Sequence, residues 1–177
     1  MSKSFSIVDQ LRRDDKAAKQ QFYLQYFDQM VRIPLRYVTT KNEAITIVND
    51  GFLKVFKSIS NLEDDSKIVP WTASIIKNTT IDYVRKKVKY NKKVTQLESG
   101  NAFTIANNTA LQSLAMEEIM KLVHSLTDKE RLVFCMYAID GYKHSEIAST
   151  LEISEGTSKW YLNKARTNLK SLLKQIV

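Results

Sequence analysis

The sequence contains few residues that interrupt helices or form disulfide bonds. It contains one cysteine, Cys135, and only 4 glycines and 2 prolines among 177 residues. A single cysteine cannot form an internal disulfide or supply a cysteine-rich zinc site. All-β folds need many tight turns and usually contain more glycine and proline, so the scarcity of both favours helices. We therefore predict an all-α fold.

Long apolar runs are also missing. The sequence has no stretch of about 18 apolar residues, which a membrane-spanning helix would require. Residues 1–10 contain no apolar core of a signal peptide. The two histidines, His124 and His144, lie far apart and do not suggest a metal site. We expect a cytoplasmic protein with no membrane insertion, no bound metal and no cofactor.

Positive charge dominates what is present. The chain has 27 Lys and Arg against 19 Asp and Glu, a net charge of +8. Such an excess attracts polyanions, and nucleic acid is the leading candidate. The basic residues cluster over residues 85–93 and over residues 157–177, and neither stretch contains an acidic side chain. Two separate basic surfaces are expected.

The composition changes between these two basic stretches. Residues 98–109 (ESGNAFTIANNT) are rich in Asn, Ser, Thr and Gly and lack a helical apolar stripe. That composition is typical of a linker. We predict two small helical domains, over residues 1–93 and 113–177, joined by a flexible linker over residues 94–112.

The first half shows helical periodicity. Apolar residues recur every three or four positions over residues 22–37 and predict a helix that Pro34 should kink or interrupt. Thr40 and Glu43 form a capping box that opens the next helix. Residues 61–69 predict a loop, and Pro70 suits the first turn of a helix that runs into the first basic stretch.

The second half predicts a helix-turn-helix. A capping box at residues 127–130 opens an apolar helix over residues 130–139, which Gly141 ends. A short helix over residues 144–151, a tight turn and a final helix capped by Ser154 then follow. The face of the final helix that opposes its apolar stripe is polar and basic, except for Trp160. An exposed tryptophan there indicates a binding function.

Both halves resemble one protein family. The segment PWTASIIKNTTIDYVRKK resembles its W-x-x-x-I-x-x-N-x-x-x-D-x-x-R pattern, and EAITIVNDGFLKVF resembles its polymerase-binding helix. The segment from LTDKERLVF to NLKSLL resembles its promoter-binding C-terminal domain. By these motifs the chain resembles the extracytoplasmic-function (ECF) group of the sigma-70 family, the bacterial RNA polymerase sigma factors.

The resemblance implies a function. Such sigma factors bind core RNA polymerase, direct it to promoter DNA and help to melt that DNA for transcription initiation, without being enzymes. Many relatives are held inactive by an anti-sigma factor, although nothing in this sequence identifies one. The alternative is a free-standing helix-turn-helix transcriptional regulator. A third class, a nuclease, would use the acidic run Glu63, Asp64 and Asp65 to hold a metal, but that run has no matching partner.

The resemblance also implies three sets of contact residues. The set for core polymerase comprises Val48, Asn49, Asp50, Phe52 and Lys54. The set for the minus-ten region of the promoter comprises Asn78, Arg85, Lys86, Lys87 and Lys89. The set for the minus-thirty-five region comprises Ser154, Thr157, Lys159, Trp160, Asn163 and Lys164. Residues 61–69 align with the loop that holds a flipped promoter base in the family.

The chain departs from the family at a few of these positions. Ile45 and Thr46 stand where an acidic pair is usual, which removes charge from the implied polymerase contact. Trp160 and Tyr161 stand where smaller or basic residues are common. We expect that second departure to change which promoter sequence is recognised.

Overall fold

The structure is a computed structural model that describes residues 6–95 and 120–176. Within these ranges the regular elements are all helical, so the all-α prediction is confirmed for them. Two short 3-10 helices, Ile59–Asn61 and Asp65–Lys67, and a π-helix, Cys135–Ile139, accompany the α-helices. The α-helices are α1 (Ile7–Arg12), α2 (Lys16–Leu35), α3 (Lys41–Ser58), α4 (Ile68–Thr95), α5 (residues 120–124), α6 (Asp128–Phe134), α7 (His144–Leu151) and α8 (Glu155–Ile176).

The chain divides into two compact units, Met1–Tyr83 and Val84–Val177. Helix α4 runs through the division and continues to Thr95. The first two residues of the predicted linker are therefore helical, and its remaining residues, 96–112, lie outside the described part of the chain. The predicted domain boundaries stay a prediction.

Aromatic packing between α2 and α3 forms the core of the first unit. Phe22 is fully buried and meets Phe52 edge-on, with 6.1 Å between ring centroids and an interplanar angle of 80°. Val8 and Leu11 bring α1 onto the same core. Such edge-to-face pairs contribute about 0.5–1.5 kcal/mol beyond the area that they bury. The predicted helical face thus lies on the inner side of α2, but the helix ends at Leu35, so Tyr37 lies beyond it.

The start of α3 differs in detail from the predicted capping box. The Thr40 hydroxyl accepts the backbone N–H of Glu43 at 3.2 Å, as expected of an N-cap. The Glu43 carboxylate does not reach back to the backbone of Thr40. It accepts hydrogen bonds from the hydroxyls of Thr40, at 3.0 Å, and Tyr83, at 2.8 Å. Glu43 therefore ties α3 to α4, and burial together with this bond raises the pKa of Tyr83 to about 12.

The second unit contains the predicted helix-turn-helix, formed by α7 and α8. Ile147, Leu151 and Leu162 are buried between the two helices. Glu152 follows α7 in the left-handed conformation, with φ of 53°, and turns the chain toward α8. Gly141 has φ of 75°, as expected of the residue that ends the preceding helix.

The predicted burial of residues 130–139 is correct for the first part only. The capping box at Thr127 is formed, and the residues from Glu130 to Met136 are buried or half-buried. Tyr137 and Ile139 are exposed. The reason is the π-helix that begins at Cys135, because its wider turn carries the following side chains out of the α-helical register.

Helices α3 and α4 approach each other closely at Gly51. A Cβ atom at this position would lie 2.6 Å from Cγ1 of Ile76, which is fully buried. A Cβ at Gly156, near the start of α8, would meet only the Ser154 hydroxyl oxygen at 3.7 Å, an ordinary contact. The two glycines therefore make a matched pair for a test of packing.

We predict that Gly51→Ala destabilises the protein by about 1–3 kcal/mol, because the added methyl group overpacks the contact between α3 and α4. Gly156→Ala should leave the stability unchanged or raise it slightly, since alanine favours helix. Urea unfolding followed by circular dichroism measures both. Equal stabilities of the two variants would contradict the close approach at Gly51.

Candidate nucleic-acid interface

Helix α8 presents one buried and one exposed face. Ser158, Leu162 and Ala165 are buried against the rest of the unit. Ser154 caps the helix, because its hydroxyl accepts the backbone N–H of Thr157 at 3.0 Å. The exposed side chains of the predicted minus-thirty-five set on α8 are Lys159, Trp160, Asn163 and Lys164, and Thr157 is half-buried.

Trp160 lies at the centre of this exposed face. Its side chain is 54% exposed, so the prediction of an exposed tryptophan is confirmed. The ring of Tyr161 meets it edge-on, with 4.9 Å between centroids. The ammonium nitrogen of Lys164 lies 5.0 Å from the centroid of the indole. Both residues that contact the indole therefore belong to α8 itself.

Lys164 is held by a buried carboxylate. Its ammonium nitrogen lies 3.2 Å from Glu130 Oε1, and the Glu130 side chain is only 1% exposed. The same carboxylate accepts the backbone N–H of Thr127, at 3.2 Å, and the amide of Asn168, at 3.3 Å. Burial raises the pKa of Glu130, but the bonds from Lys164 and Thr127 outweigh it and hold the pKa below its ordinary value. Lys164 is thus less available to a phosphate than its position predicts.

A second contact that fixes α8 was not predicted from the sequence. His144, the first residue of α7, places its Nδ1 2.9 Å from the hydroxyl oxygen of the buried Ser158. Its ring stacks on Tyr137, with 4.6 Å between centroids. His144 therefore joins the start of α7 to the first turns of α8. A periodicity analysis cannot detect such a contact, because it depends on how the two helices cross.

Helix α4 carries the predicted minus-ten set. Asn78, Arg85, Lys86 and Lys89 are exposed, and Lys87 is half-buried. The contact of these residues with DNA stays a prediction.

A cleft lies at the amino-terminal end of α4. Its volume is about 380 Å³. The predicted loop over residues 61–69 is shorter than expected, because the 3-10 helix that ends at Asn61, the one over residues 65–67 and α4, which begins at Ile68, occupy much of it. Trp71 precedes Asn78 by about two turns, so the cleft opens on the same face of α4. The cleft is lined by Asn61, Leu62, Glu63, Asp64, Lys67, Pro70 and Trp71.

Arg12 fastens the wall of this cleft to α1. Its guanidinium donates to both carboxylate oxygens of Asp65, at 2.7 and 3.2 Å, and to the backbone carbonyl of Leu62 at 2.8 Å. Such a bidentate pair fixes orientation as well as distance. Arg12 and Asp65 lie 53 residues apart in the sequence, so no local pattern predicts their contact.

Two members of the acidic run considered for a nuclease are engaged in structural contacts. Asp64 accepts the Ser66 hydroxyl at 2.6 Å, pairs with Lys67 at 3.3 Å and accepts the backbone N–H of Ser66 at 3.0 Å, and these bonds lower its pKa. Asp65 pairs with Arg12. Among the residues that the structure describes, no group of three His, Cys, Asp or Glu side chains could hold a metal ion.

Helix α3 divides the predicted polymerase set into buried and exposed members. Val48 and Phe52 are 0% and 2% exposed, so their side chains belong to the core and offer no contact surface, which corrects the prediction for these two residues. Asn49, Asp50 and Lys54 are exposed. Leu53, which the sequence analysis did not select, is 57% exposed beside them.

Two of these exposed residues are held in place by neighbouring helices. The Asn49 side-chain oxygen accepts a hydrogen bond from the Tyr23 hydroxyl of α2 at 2.9 Å. Lys54 donates to the Thr79 hydroxyl of α4 at 3.0 Å. The exposed face of α3 is therefore a fixed surface with an apolar side chain among polar ones.

Comparison with models of known protein families finds two matches in the chain. The model of sigma-70 region 2 matches residues 22–90, and that of sigma-70 region 4 matches residues 116–169. Together the two matches cover more than half of the chain. The chain belongs to the sigma-70 family, in its ECF group. This sigma factor has the two regions in the order that its sequence motifs predicted.

Several curated proteins are similar to this sigma factor. ECF RNA polymerase sigma factor SigM of Bacillus subtilis is 27% identical over 155 residues, which are 86% of this chain and 93% of SigM. SigW of the same organism is 25% identical and covers 96% of each chain. The ECF RNA polymerase sigma-E factor of Escherichia coli K12 is 20% identical over 97% of this chain and 94% of that protein.

A solved structure has a similar fold. The sigma factor RpoE from Bartonella quintana, in complex with the anti-sigma factor NepR, aligns with a TM-score of 0.52 at 20% sequence identity. The alignment covers 88% of this sigma factor and 96% of that chain. In the described part of this sigma factor, no helix is long and apolar enough to cross a membrane.

We predict that Arg12→Ala loosens the cleft of this sigma factor. The ion pair is partly exposed, so the loss of stability should stay within about 1 kcal/mol. Trp71 lines the cleft, and in a Trp160→Phe background it is the remaining tryptophan of the sequence. Acrylamide should quench its fluorescence more strongly after Arg12→Ala.

Lys57→Ala, which removes an exposed cation on α3, is the control and should leave the quenching unchanged. A combined Arg12→Asp and Asp65→Arg exchange should partly restore the protection of Trp71. Equal quenching in all four proteins would show that Arg12 does not hold the cleft wall.

Proposed function

We propose that this protein is a sigma factor that binds core RNA polymerase, directs it to specific promoters and helps to melt the DNA for transcription initiation. The observation that carries the proposal is the presence of sigma-70 regions 2 and 4 in one chain. A free-standing helix-turn-helix regulator would need region 4 alone. The function as a sigma factor also explains why the two basic stretches of the sequence, over residues 85–93 and 157–177, are separate.

Helix α4 would contact the melted minus-ten region. Unpairing DNA costs a few kcal/mol for each base, and proteins recover that cost by binding the unpaired strand. The Asn78 amide can donate to and accept from a base edge, whereas Arg85, Lys86 and Lys89 can bind phosphates. Lys87, which is half-buried, stays in the proposed set.

The cleft beside Trp71 would receive an unpaired base of the same strand. Pro70 and Trp71 offer apolar surface to a base, and stacking on an aromatic ring contributes about 1–3 kcal/mol per base. Asn61 and Glu63 place polar groups at the rim, where they can pair with the edge of the base. The position of the cleft on the Asn78 face of α4 supports a single path for the strand.

Helix α8 would lie in the major groove of the minus-thirty-five region. The second helix of a helix-turn-helix contacts base edges there. Asn163 can pair with adenine through both amide atoms, and Lys159 can bind the phosphates at the edge of the groove. Ser154 and Thr157 fix the start of the helix, since their hydroxyls bond to each other at 2.8 Å.

The exposed face of α3 would contact core polymerase. Asn49, Asp50 and Lys54 supply polar groups, and Leu53 supplies an apolar side chain of the kind that anchors an interface. Val48 and Phe52 would act from inside the unit, where they fix the position of the exposed residues. Ile45 and Thr46 replace the acidic pair that is usual in the family. Asp50 would therefore contribute more to the electrostatics of this contact than it does in relatives that have the pair.

Further features stay part of the proposal. We propose domains over residues 1–93 and 113–177 with a linker over 94–112, a location in the cytoplasm, and no catalytic activity of the protein itself. An anti-sigma factor is a proposed regulator, on the basis of the resemblance to sigma factors. Polymerase and promoter DNA are the main partners.

We predict that Leu53→Asp and Asp50→Arg each weaken binding to core RNA polymerase at least about tenfold, as expected for central interface residues. Fluorescence anisotropy of the labelled protein, titrated with core enzyme, measures the affinity. Glu155→Arg, a charge reversal on exposed α8, is the control and should bind normally. Circular dichroism checks that each variant is folded.

Normal binding by both α3 variants would place the polymerase contact elsewhere. No binding of the unaltered protein to core enzyme would reject the function as a sigma factor. The helix-turn-helix would then favour the free-standing regulator.

A further inference from the structure

We propose that Trp160 recognises the 5-methyl group of thymine in the major groove, so that the minus-thirty-five element selected by this protein contains thymine at the base that the indole meets. The proposal rests on the proposed function, in which α8 lies in that groove. It adds a base preference at a position where the family commonly has a smaller or basic residue.

The position of Trp160 on α8 directs it toward the bases. Ser158 and Leu162 are buried and define the inner face, and Trp160 points to the opposite side in the second turn of the helix. A recognition helix meets base edges with the centre of its exposed face near its amino-terminal end. Lys159 and Arg166 lie to one side of that centre and are placed to reach the sugar-phosphate backbone.

The indole is held in position from the interior of the unit. Buried Glu130 binds the Lys164 ammonium at 3.2 Å, and that ammonium lies 5.0 Å from the indole centroid. A cation at this distance is attracted to the ring face. Tyr161 supports the ring with an edge contact. Such fixation reduces the entropy lost on binding, which is small for tryptophan because its side chain has two rotatable bonds.

The chemistry of the indole selects among the bases. Its surface is apolar, and its single polar hydrogen, on Nε1, can only donate. Thymine alone presents a methyl group in the major groove, together with the O4 acceptor. Cytosine presents an amino donor at the corresponding place and has no methyl group. An indole that faces the base edges in the major groove therefore favours thymine and disfavours cytosine.

The test begins with the holoenzyme formed from this protein and core polymerase. Promoters with a randomised minus-thirty-five segment are selected by transcription, and the selected thymines are then replaced one at a time by deoxyuridine, which lacks the methyl group. We expect one replacement, or two adjacent ones, to weaken promoter binding about fourfold. That factor corresponds to the loss of one methyl-sized group that the indole would bury away from water. Replacements elsewhere should have no effect.

Three variants assign that effect to Trp160. Trp160→Ala should abolish the response to deoxyuridine and lose the preference for thymine at that position, whereas Trp160→Phe should keep part of both. Lys159→Ala should weaken binding to all sequences similarly and leave the methyl response intact, because a phosphate contact is insensitive to the base. Lys164→Met should reduce the methyl response by releasing the indole.

The outcomes separate this proposal from the proposed function. A holoenzyme that selects promoters but responds to no deoxyuridine replacement would overturn the role of Trp160 and leave the function standing. A methyl response that persists in Trp160→Ala would also overturn it. A mixture with core polymerase that selects no promoter at all would reject both the function and the inference. If Trp160→Ala fails to fold, Trp160→Phe decides the question, because an unchanged methyl response in that variant would also overturn the role of Trp160.

Discussion

The second unit depends on a carboxylate that is buried away from water. Glu130 lies at the start of α6, yet two of its partners, Lys164 and Asn168, are on α8. An unpaired buried carboxylate would be costly, so these partners must stay in place. The orientation of α8 is therefore fixed by the need to satisfy one charge. The side chains on the exposed face of α8, Trp160 among them, are placed by that requirement.

The first unit uses the same principle at its surface. Its core is aromatic and apolar, and the hydrophobic effect that stabilises it is non-directional, which by itself leaves the helices some orientational freedom. Directional contacts remove that freedom: Arg12 holds Asp65 beside the cleft, and Tyr83 donates to Glu43 between α4 and α3. Gly51 lets the same two helices approach closely. A small unit thus obtains a defined surface from a few contacts between distant segments.

Local sequence signals predicted most of the helices and their ends. The caps at Thr40, Thr127 and Ser154 and the left-handed Gly141 are set by neighbouring residues, so they can be found without a structure. The exposed Trp160 followed from helical periodicity alone. The extent of the π-helix did not, because competing local hydrogen-bond patterns have nearly the same sequence requirements.

The predicted sites were less complete than the predicted fold for a physical reason. A motif identifies a segment, but whether a side chain is exposed depends on the helix that packs against it. Val48 and Phe52 matched the family and proved to be core residues, while Leu53, between Phe52 and Lys54, is the exposed one. Arg12 and His144 act through partners far along the chain or on another helix, which no local pattern records.

Lys164 illustrates both influences, its position in the sequence and its contacts in the fold. Its position in the sequence predicts a cation for DNA, and its contacts direct that cation to Glu130 and to the indole instead. In a relative with a small residue at the position of Trp160, such a lysine could bind a phosphate. With tryptophan at position 160, the same lysine lies 5.0 Å from the centroid of a ring. If α8 reads the promoter as proposed, its specificity would depend on this pair of residues and on the buried carboxylate of Glu130 behind them.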